Sequence, residues 1–349
     1  MPLPAPVLDA FRIQSDACRN LGSPFNALVC DLLAERLTPA SAFGRRIHEW
    51  PGKPVDDALA LRACGSLHAL SRSRRCPALT AAYPPADPVE DALWHAIETA
   101  IEAHDGFLAG YLDSPPQTNE VSRSASILGG CLTLAAATGL PLELFEIGSS
   151  TGLNLGFDRW HYDLGDRSWG PDGSPVRIVS RWQGEVPLDA PLSVVRREGC
   201  DRNPLDPASP ADRERLLSYI WPDQAERLAR IAAALQATAE AGRHVEKADA
   251  ADWVEDRFAG PGTPGRVRVL MHTIVWQYLP AETQARIEAA IRAAGVRATG
   301  RNPVAWLRVE PDGVKGSAGV RLTIWPDGET RVLGRADYHG RWHRWTADN

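Results

Sequence analysis

Apolar positions recur at helical spacing in three early stretches, Ala27–Leu37, Asp57–Leu70 and Asp91–Ala103. Proline-containing breaks separate them: Thr38-Pro39, Trp50-Pro51, Tyr83-Pro84-Pro85 and Ser114-Pro115-Pro116. Strand patterns are nearly absent up to about residue 140, so residues 1–118 predict an all-α cap. A last helix is expected from about Val121 to Thr138, with Asn119 as its N-cap and Gly139 as its stop.

From Pro141 onward the period changes. Strand patterns fall at Leu142–Ile147, Leu192–Arg197, His244–Lys247, Val267–Val275, Val304–Val309, Val320–Trp325 and Arg331–Asp337. Helices are expected between them, two of them opening at Pro210 and Pro222 with proline in the first turn. Strands alternating with helices predict an α/β fold with a seven-stranded, mostly parallel sheet covered on both faces. Only Pro326-Asp327-Gly328-Glu329 separates the last two strands, which therefore pair as an antiparallel C-terminal hairpin. Residues 160–190 hold many Gly, Pro and Asp around one strand-like run, Val176–Trp182, and predict an inserted flap within a domain spanning 119–349. Tyr338–Trp345 is basic and aromatic, and is read as an edge strand guarded by arginine.

Composition narrows the function classes. The 349 residues are 44% apolar and 23% charged, ordinary for a globular protein. A net charge of −6 gives no electrostatic footprint for nucleic acid. No apolar run approaches membrane-spanning length, and the N-terminus lacks the pattern of a signal peptide. Cys18, Cys30, Cys64, Cys76, Cys131 and Cys200 form no C-x-x-C pair and read as reduced packing residues. The expectation is a cytoplasmic protein acting on a small molecule, with no nucleic-acid or membrane partner.

The densest chemistry lies in Glu146-Ile147-Gly148-Ser149-Ser150-Thr151-Gly152-Leu153-Asn154. A strand that ends in a glycine turn before a helix start presents backbone N–H groups to a ligand. The order of the strands, the helical leader, this loop and the terminal hairpin resemble the Rossmann-like S-adenosylmethionine-dependent methyltransferase superfamily over roughly residues 120–340. Asn119–Arg123, Glu146–Leu155, Tyr219–Gln224 and Val275–Pro280 are similar to a narrower bacterial family carrying a domain of unknown function. The superfamily resemblance implies an S-adenosylmethionine site in which Glu146, Gly148, Ser150, Gly152 and Asn154 form the cofactor loop. Ser150 stands where the pattern usually has its middle glycine. Asp201 then matches the acid that holds the ribose hydroxyls, and Asp249-Ala250 the position that reads the adenine amino group. Arg123 is placed to meet the cofactor's carboxylate.

Methyl transfer needs an acceptor held in line, and a base where the acceptor carries a proton. His272 and Tyr278, near the end of the fourth strand, are the catalytic candidates; the plainer role for His272 is a hydrogen-bonded histidine inside a buried strand. Asn119, Glu120, Trp276 and Gln277 are expected to line the acceptor site, set between cap, flap and strand ends. A fold that binds the cofactor without turnover is the alternative. So is a serine hydrolase, because Gly148–Gly152 also spells G-x-S-x-G with Ser150 as nucleophile. Asp249 or Asp252 with His272, or Asp337 with His339, would complete that triad, but no H-G-G-G-like segment precedes it. No metal-ligand spacing is present, and the loop lacks the G-x-G-x-x-G of a nicotinamide site.

Overall fold

The computed structural model describes residues 2–87, 89–117, 119–242 and 244–346. The chain divides into two compact units, Met1–Thr118 with Pro210–Ala232, and Asn119–Ser209 with Ala233–Asn349.

The first unit is helical: Ala5–Asn20, Pro24–Arg36, Ala42–His48, Leu59–Arg72, Pro77–Ala82, Glu90–Tyr111 and Pro210–Ser218. Phe11, Leu33, Phe43, Ile47, Leu67 and Ile97 are fully buried in its core. Carboxylates from distant parts of the chain satisfy the helix starts. Asp105 accepts the backbone N–H groups of Ala42 and Phe43, each at 2.7 Å, and Asp223 accepts that of Phe25 at 2.9 Å. Helix Leu59–Arg72 ends less comfortably, because Arg74 just beyond it takes φ 57°. That conformation suits glycine, and a side chain there costs on the order of 1 kcal/mol. Arg74→Gly is expected to raise the urea midpoint of unfolding by the equivalent of about 0.5–1 kcal/mol.

Among the described residues the second unit carries twelve strands: β1 (Leu142–Ile147), β2 (His161–Leu164), β3 (Arg167–Trp169), β4 (Arg177–Val179), β5 (Arg181–Gln183), β6 (Val194–Asp201), β7 (Glu246–Lys247), β8 (Val267–Thr273), β9 (Val304–Pro311), β10 (Ala318–Trp325), β11 (Glu329–Ala336) and β12 (Trp342–Trp345). Nine form one mixed sheet in the order β5-β12-β11-β10-β9-β8-β1-β6-β7, and the order β3-β2-β4 makes a separate small sheet. The five strands β7, β6, β1, β8 and β9 are parallel.

The sheet therefore has nine strands where the sequence predicts seven. It is antiparallel from β9 through β12 and parallel again between β12 and β5. Only residues 312–317 link β9 to β10, far fewer than a parallel crossover needs. The flap run Val176–Trp182 is divided at Ser180, with β4 joining the small sheet and β5 joining the edge of the large one. The α-helix expected after the glycine loop is a short 3-10 helix, Asn154–Arg159. The crossover from β1 to β6 thus carries the small sheet where a βαβ unit carries its helix.

Helices Ala250–Ala259 and Ala281–Val296 cover one face of the parallel half, burying Phe145, Ile147, Cys200, Leu270 and Trp306 against Trp253, Phe258, Ile287 and Ile291. Helix Ser124–Thr138 lies against strand residues of the antiparallel half. A Cβ on Gly129 would come within 2.7 Å of the Trp345 ring, so this helix approaches only because glycine is there. His343 pins the arrangement. Its Nε2 meets Ser126 Oγ at 2.7 Å, its Nδ1 meets Ser180 Oγ at 2.7 Å, and its ring stacks on Trp182. Burial pushes this imidazole down to about 3, so it stays neutral between its two hydroxyls.

Candidate functional site

Among the five parallel strands, chain connections run outward from β1 to β6 and β7 on one side, and from β8 to β9 on the other. The topological switch point therefore lies between β1 and β8. Open α/β sheets leave a crevice outside the carboxyl ends of their strands at that point.

Both strands end in strained backbone there. After β1, Gly148, Ser150 and Gly152 take φ of 67°, 53° and 74°. After β8, Ile274 takes φ 51°. A β-branched residue with this φ is a genuine outlier. Among the described residues, Ser150 and Ile274 are the second unit's only non-glycine positions with positive φ. Such strain persists only where surrounding structure over-determines it.

The surroundings do so. Asn119 Nδ2 donates to the Ser149 carbonyl at 2.9 Å and to Thr151 Oγ1 at 3.0 Å, straddling Ser150. Asp201, at the end of β6, accepts the Ser150 N–H at 3.0 Å on one oxygen and the Asn203 N–H at 2.9 Å on the other. The Ser149 N–H donates to the Cys200 carbonyl at 3.1 Å, and Ser149 Oγ to the Glu146 carbonyl at 2.8 Å. On the other side, Ile274 N–H donates to the Val309 carbonyl and Val275 N–H to Glu310 Oε1 at 3.1 Å. The two ends touch: a Cβ on Gly148 would sit 2.5 Å from Val275 Cγ2.

Three buried polar atoms of the β1 end have no hydrogen-bond partner: Glu146 Oε2, Ser150 Oγ and Asn154 Oδ1. Burial raises the Glu146 carboxyl to about 8, a shift that the neighbouring Ser149 and Asn154 side chains and the Arg123 charge only partly oppose. Glu146 is therefore mostly protonated at neutral pH. Arg123 donates through Nε to the Tyr338 carbonyl at 2.7 Å, and Glu120 accepts the Ser122 N–H at 3.1 Å, capping the 3-10 turn Val121–Arg123. The structure thus brings Asn119, Glu146, Gly148, Ser150 and Asp201 together around one loop, with Arg123 within electrostatic reach.

The residues expected after β8 are arranged otherwise. Trp306 Nε1–H donates to His272 Nε2 at 3.1 Å, which leaves the proton of the neutral ring on Nδ1, facing Glu310 Oε1 at 2.6 Å. Both nitrogens are engaged and the residue is buried. This is the hydrogen-bonded strand histidine, with no nitrogen free to take an acceptor's proton. Trp276 stacks on His272 at 5.0 Å and meets Trp306 edge-on, which makes it a packing residue. Gln277 and Tyr278 are exposed, Tyr278 by 73%. Asp249 caps helix Ala250–Ala259 by accepting the Ala251 N–H at 2.9 Å, and Ala250 is buried at the helix start. Sequence reasoning missed Glu310, which receives both His272 and the Val275 N–H. An acid directly after the strand pattern Val304–Val309 was its signal.

The six cysteines are buried and unbridged. Among the described residues no cluster of three or more His, Cys, Asp and Glu could hold a metal ion, and no helix is long and apolar enough to cross a membrane.

The bacterial family described as "Uncharacterized protein conserved in bacteria (DUF2332)" matches residues 8–345. The chain belongs to this family. No curated protein and no solved structure matches it. The match to DUF2332 runs through both units, so the helical residues and the sheet are parts of one family pattern.

Proposed function

We propose that the second unit binds S-adenosylmethionine at the switch point between β1 and β8 and passes its methyl group to a small acceptor. The observation that carries this reading is the meeting of two strained, tightly held strand ends at the crevice where parallel α/β sheets bind ligands. The seven-stranded methyltransferase arrangement belongs to this proposal only through the five parallel strands, whose chain order matches that half of a doubly wound sheet.

The residues present fit the cofactor in two respects. Each Asp201 oxygen accepts one backbone N–H, and a carboxylate oxygen has a second lone pair for a ribose hydroxyl. Ser150 Oγ and Asn154 Oδ1 are buried without partners beside the loop, as groups awaiting a polar ligand are. Bound there, the cofactor supplies an electrophilic methyl group. The chain's own contribution is to hold the loop rigid through Asn119 and Asp201. Because both His272 nitrogens are engaged, this reading favours an acceptor atom that needs no base, such as a thiolate or a tertiary amine.

Titration calorimetry with S-adenosylhomocysteine tests it. Wild type is expected to bind in the micromolar range, and Asp201→Asn at least about tenfold more weakly. Absence of binding to wild type would overturn the proposal. Binding without methyl transfer across an acceptor panel would leave a cofactor-binding protein without turnover. The left-handed Ser150 also resembles the strained serine of a nucleophile elbow, which favours a serine hydrolase as second reading. That reading lacks a histidine with a free nitrogen at the end of β8, and labelling of Ser150 by a fluorophosphonate would establish it.

A further inference from the structure

We propose that the outer face of β5 and β12 is a binding site for a phosphate monoester that carries a flat ring. The two strands run parallel, with Arg181 opposite Trp342 and Gln183 opposite Arg344. Side chains of directly paired residues share a face of the sheet, and alternate residues share it too. Trp182, His343 and Trp345 occupy the other face, where Trp182 and Trp345 lie against Gly129 and His343 bonds Ser126. Arg181, Gln183, Trp342 and Arg344 are left together on the outer face. They line a cavity of about 230 Å³.

Charge singles this cavity out. The neighbouring arginines have acidic partners: Arg321 and Arg335 share Asp312, Arg331 meets Glu329, and Arg341 meets Asp337. Among the described residues Arg181 and Arg344 have no acidic partner. Arg344 lies 5.4 Å from the Trp342 ring centroid. Two uncompensated guanidinium forks on adjacent strands suit a dianionic phosphoryl group, the Gln183 amide adds a donor, and the Trp342 face suits an aromatic ring. Protection of the sheet edge accounts for Arg181 on β5. It does not account for Arg344 and Trp342, because β12 is the second strand in and has β5 covering its edge.

Phenyl phosphate is the probe, since it lacks the adenosine that the switch-point crevice is proposed to hold. Titrated against the whole chain by tryptophan fluorescence, it is expected to bind with submillimolar to millimolar affinity. Inorganic phosphate should bind several-fold more weakly, and phenol not measurably. Arg181→Ala and Arg344→Ala should each weaken phenyl phosphate at least about tenfold at unchanged urea midpoint. Arg344→Lys should fall between, keeping the charge and losing the fork. Trp342→Leu should remove the preference of phenyl phosphate over phosphate. Saturating S-adenosylhomocysteine should leave the titration unchanged, so the outcome is independent of the methyltransferase reading. No binding to wild type, equal binding by the alanine variants, or equal binding of phenol would overturn the proposal. So would an oligothymidylate that displaces the probe at far lower concentration, which would assign the face to single-stranded nucleic acid.

Discussion

Glu146→Gln will stabilise the protein at pH 8 and change little at pH 5. In the folded chain burial holds the Glu146 proton up to about pH 8, while the unfolded chain releases it near the ordinary 4.5. Between those values folding takes up a proton, so wild-type stability falls as pH rises. The slope contributed by this one group is about 1.4 kcal/mol per pH unit. Glutamine has the shape of the protonated acid and no proton to exchange, so it removes that slope. Urea unfolding of both proteins at pH 5, 6, 7 and 8 should give midpoints that diverge steadily, with a gap of a few kcal/mol at pH 8. The comparison between variants cancels the opposite trend from buried His343, whose neutral state makes the folded protein lose stability as pH falls below the ordinary histidine range. Parallel curves for wild type and variant would show that Glu146 is ionised and that water or a ligand reaches its unpartnered oxygen.

Gly148→Ala carries a large expected cost at the centre of the candidate site. The left-handed backbone at φ 67° disfavours any Cβ by on the order of 1 kcal/mol. The new atom would also fall 2.5 Å from Val275 Cγ2 and 2.9 Å from Val275 Cβ. Val275 cannot withdraw, because its N–H is held by Glu310 and the preceding Ile274 is itself strained. A clash of this kind costs about 1–3 kcal/mol, for a total of about 2–4 kcal/mol. Val275→Ala should recover part of it in the double variant, because the 2.5 Å contact is to an atom that alanine lacks. A double-mutant cycle by urea unfolding should therefore give a favourable coupling of at least about 1 kcal/mol. Additive costs would mean that the β1 and β8 ends move apart freely.

The central strands of the parallel half were legible because β1 and β8 are buried along their whole length and are rich in apolar residues. The glycine loop was legible from residue type and order, and its neighbour Asp201 only through the resemblance to a larger superfamily. The outer edge was legible only in part. Tyr338–Trp345 reads as an edge strand, but β12 is the second strand in, because its pairing with Arg181–Gln183 joins segments far apart in sequence. For His272 the plainer role, a hydrogen-bonded histidine in a buried strand, was legible, but its partners were not. Trp306 and Glu310, which engage its ring, sit on β9, and only three dimensions bring that strand alongside β8. A residue type names what a side chain can do; its partners decide whether that capacity is already used.

The pairing of β5 with β12 has a consequence for synthesis. Residues 181–183 leave the ribosome well before residues 342–345, and domains generally fold as units. The connection from β1 to β6 can form its small sheet early, yet β5 has no neighbour in the large sheet until β12 has been made. Residues 342–345 therefore act as a latch, and a nascent chain or a truncation that stops before Trp342 leaves β5 as an unpaired strand open to association with other chains.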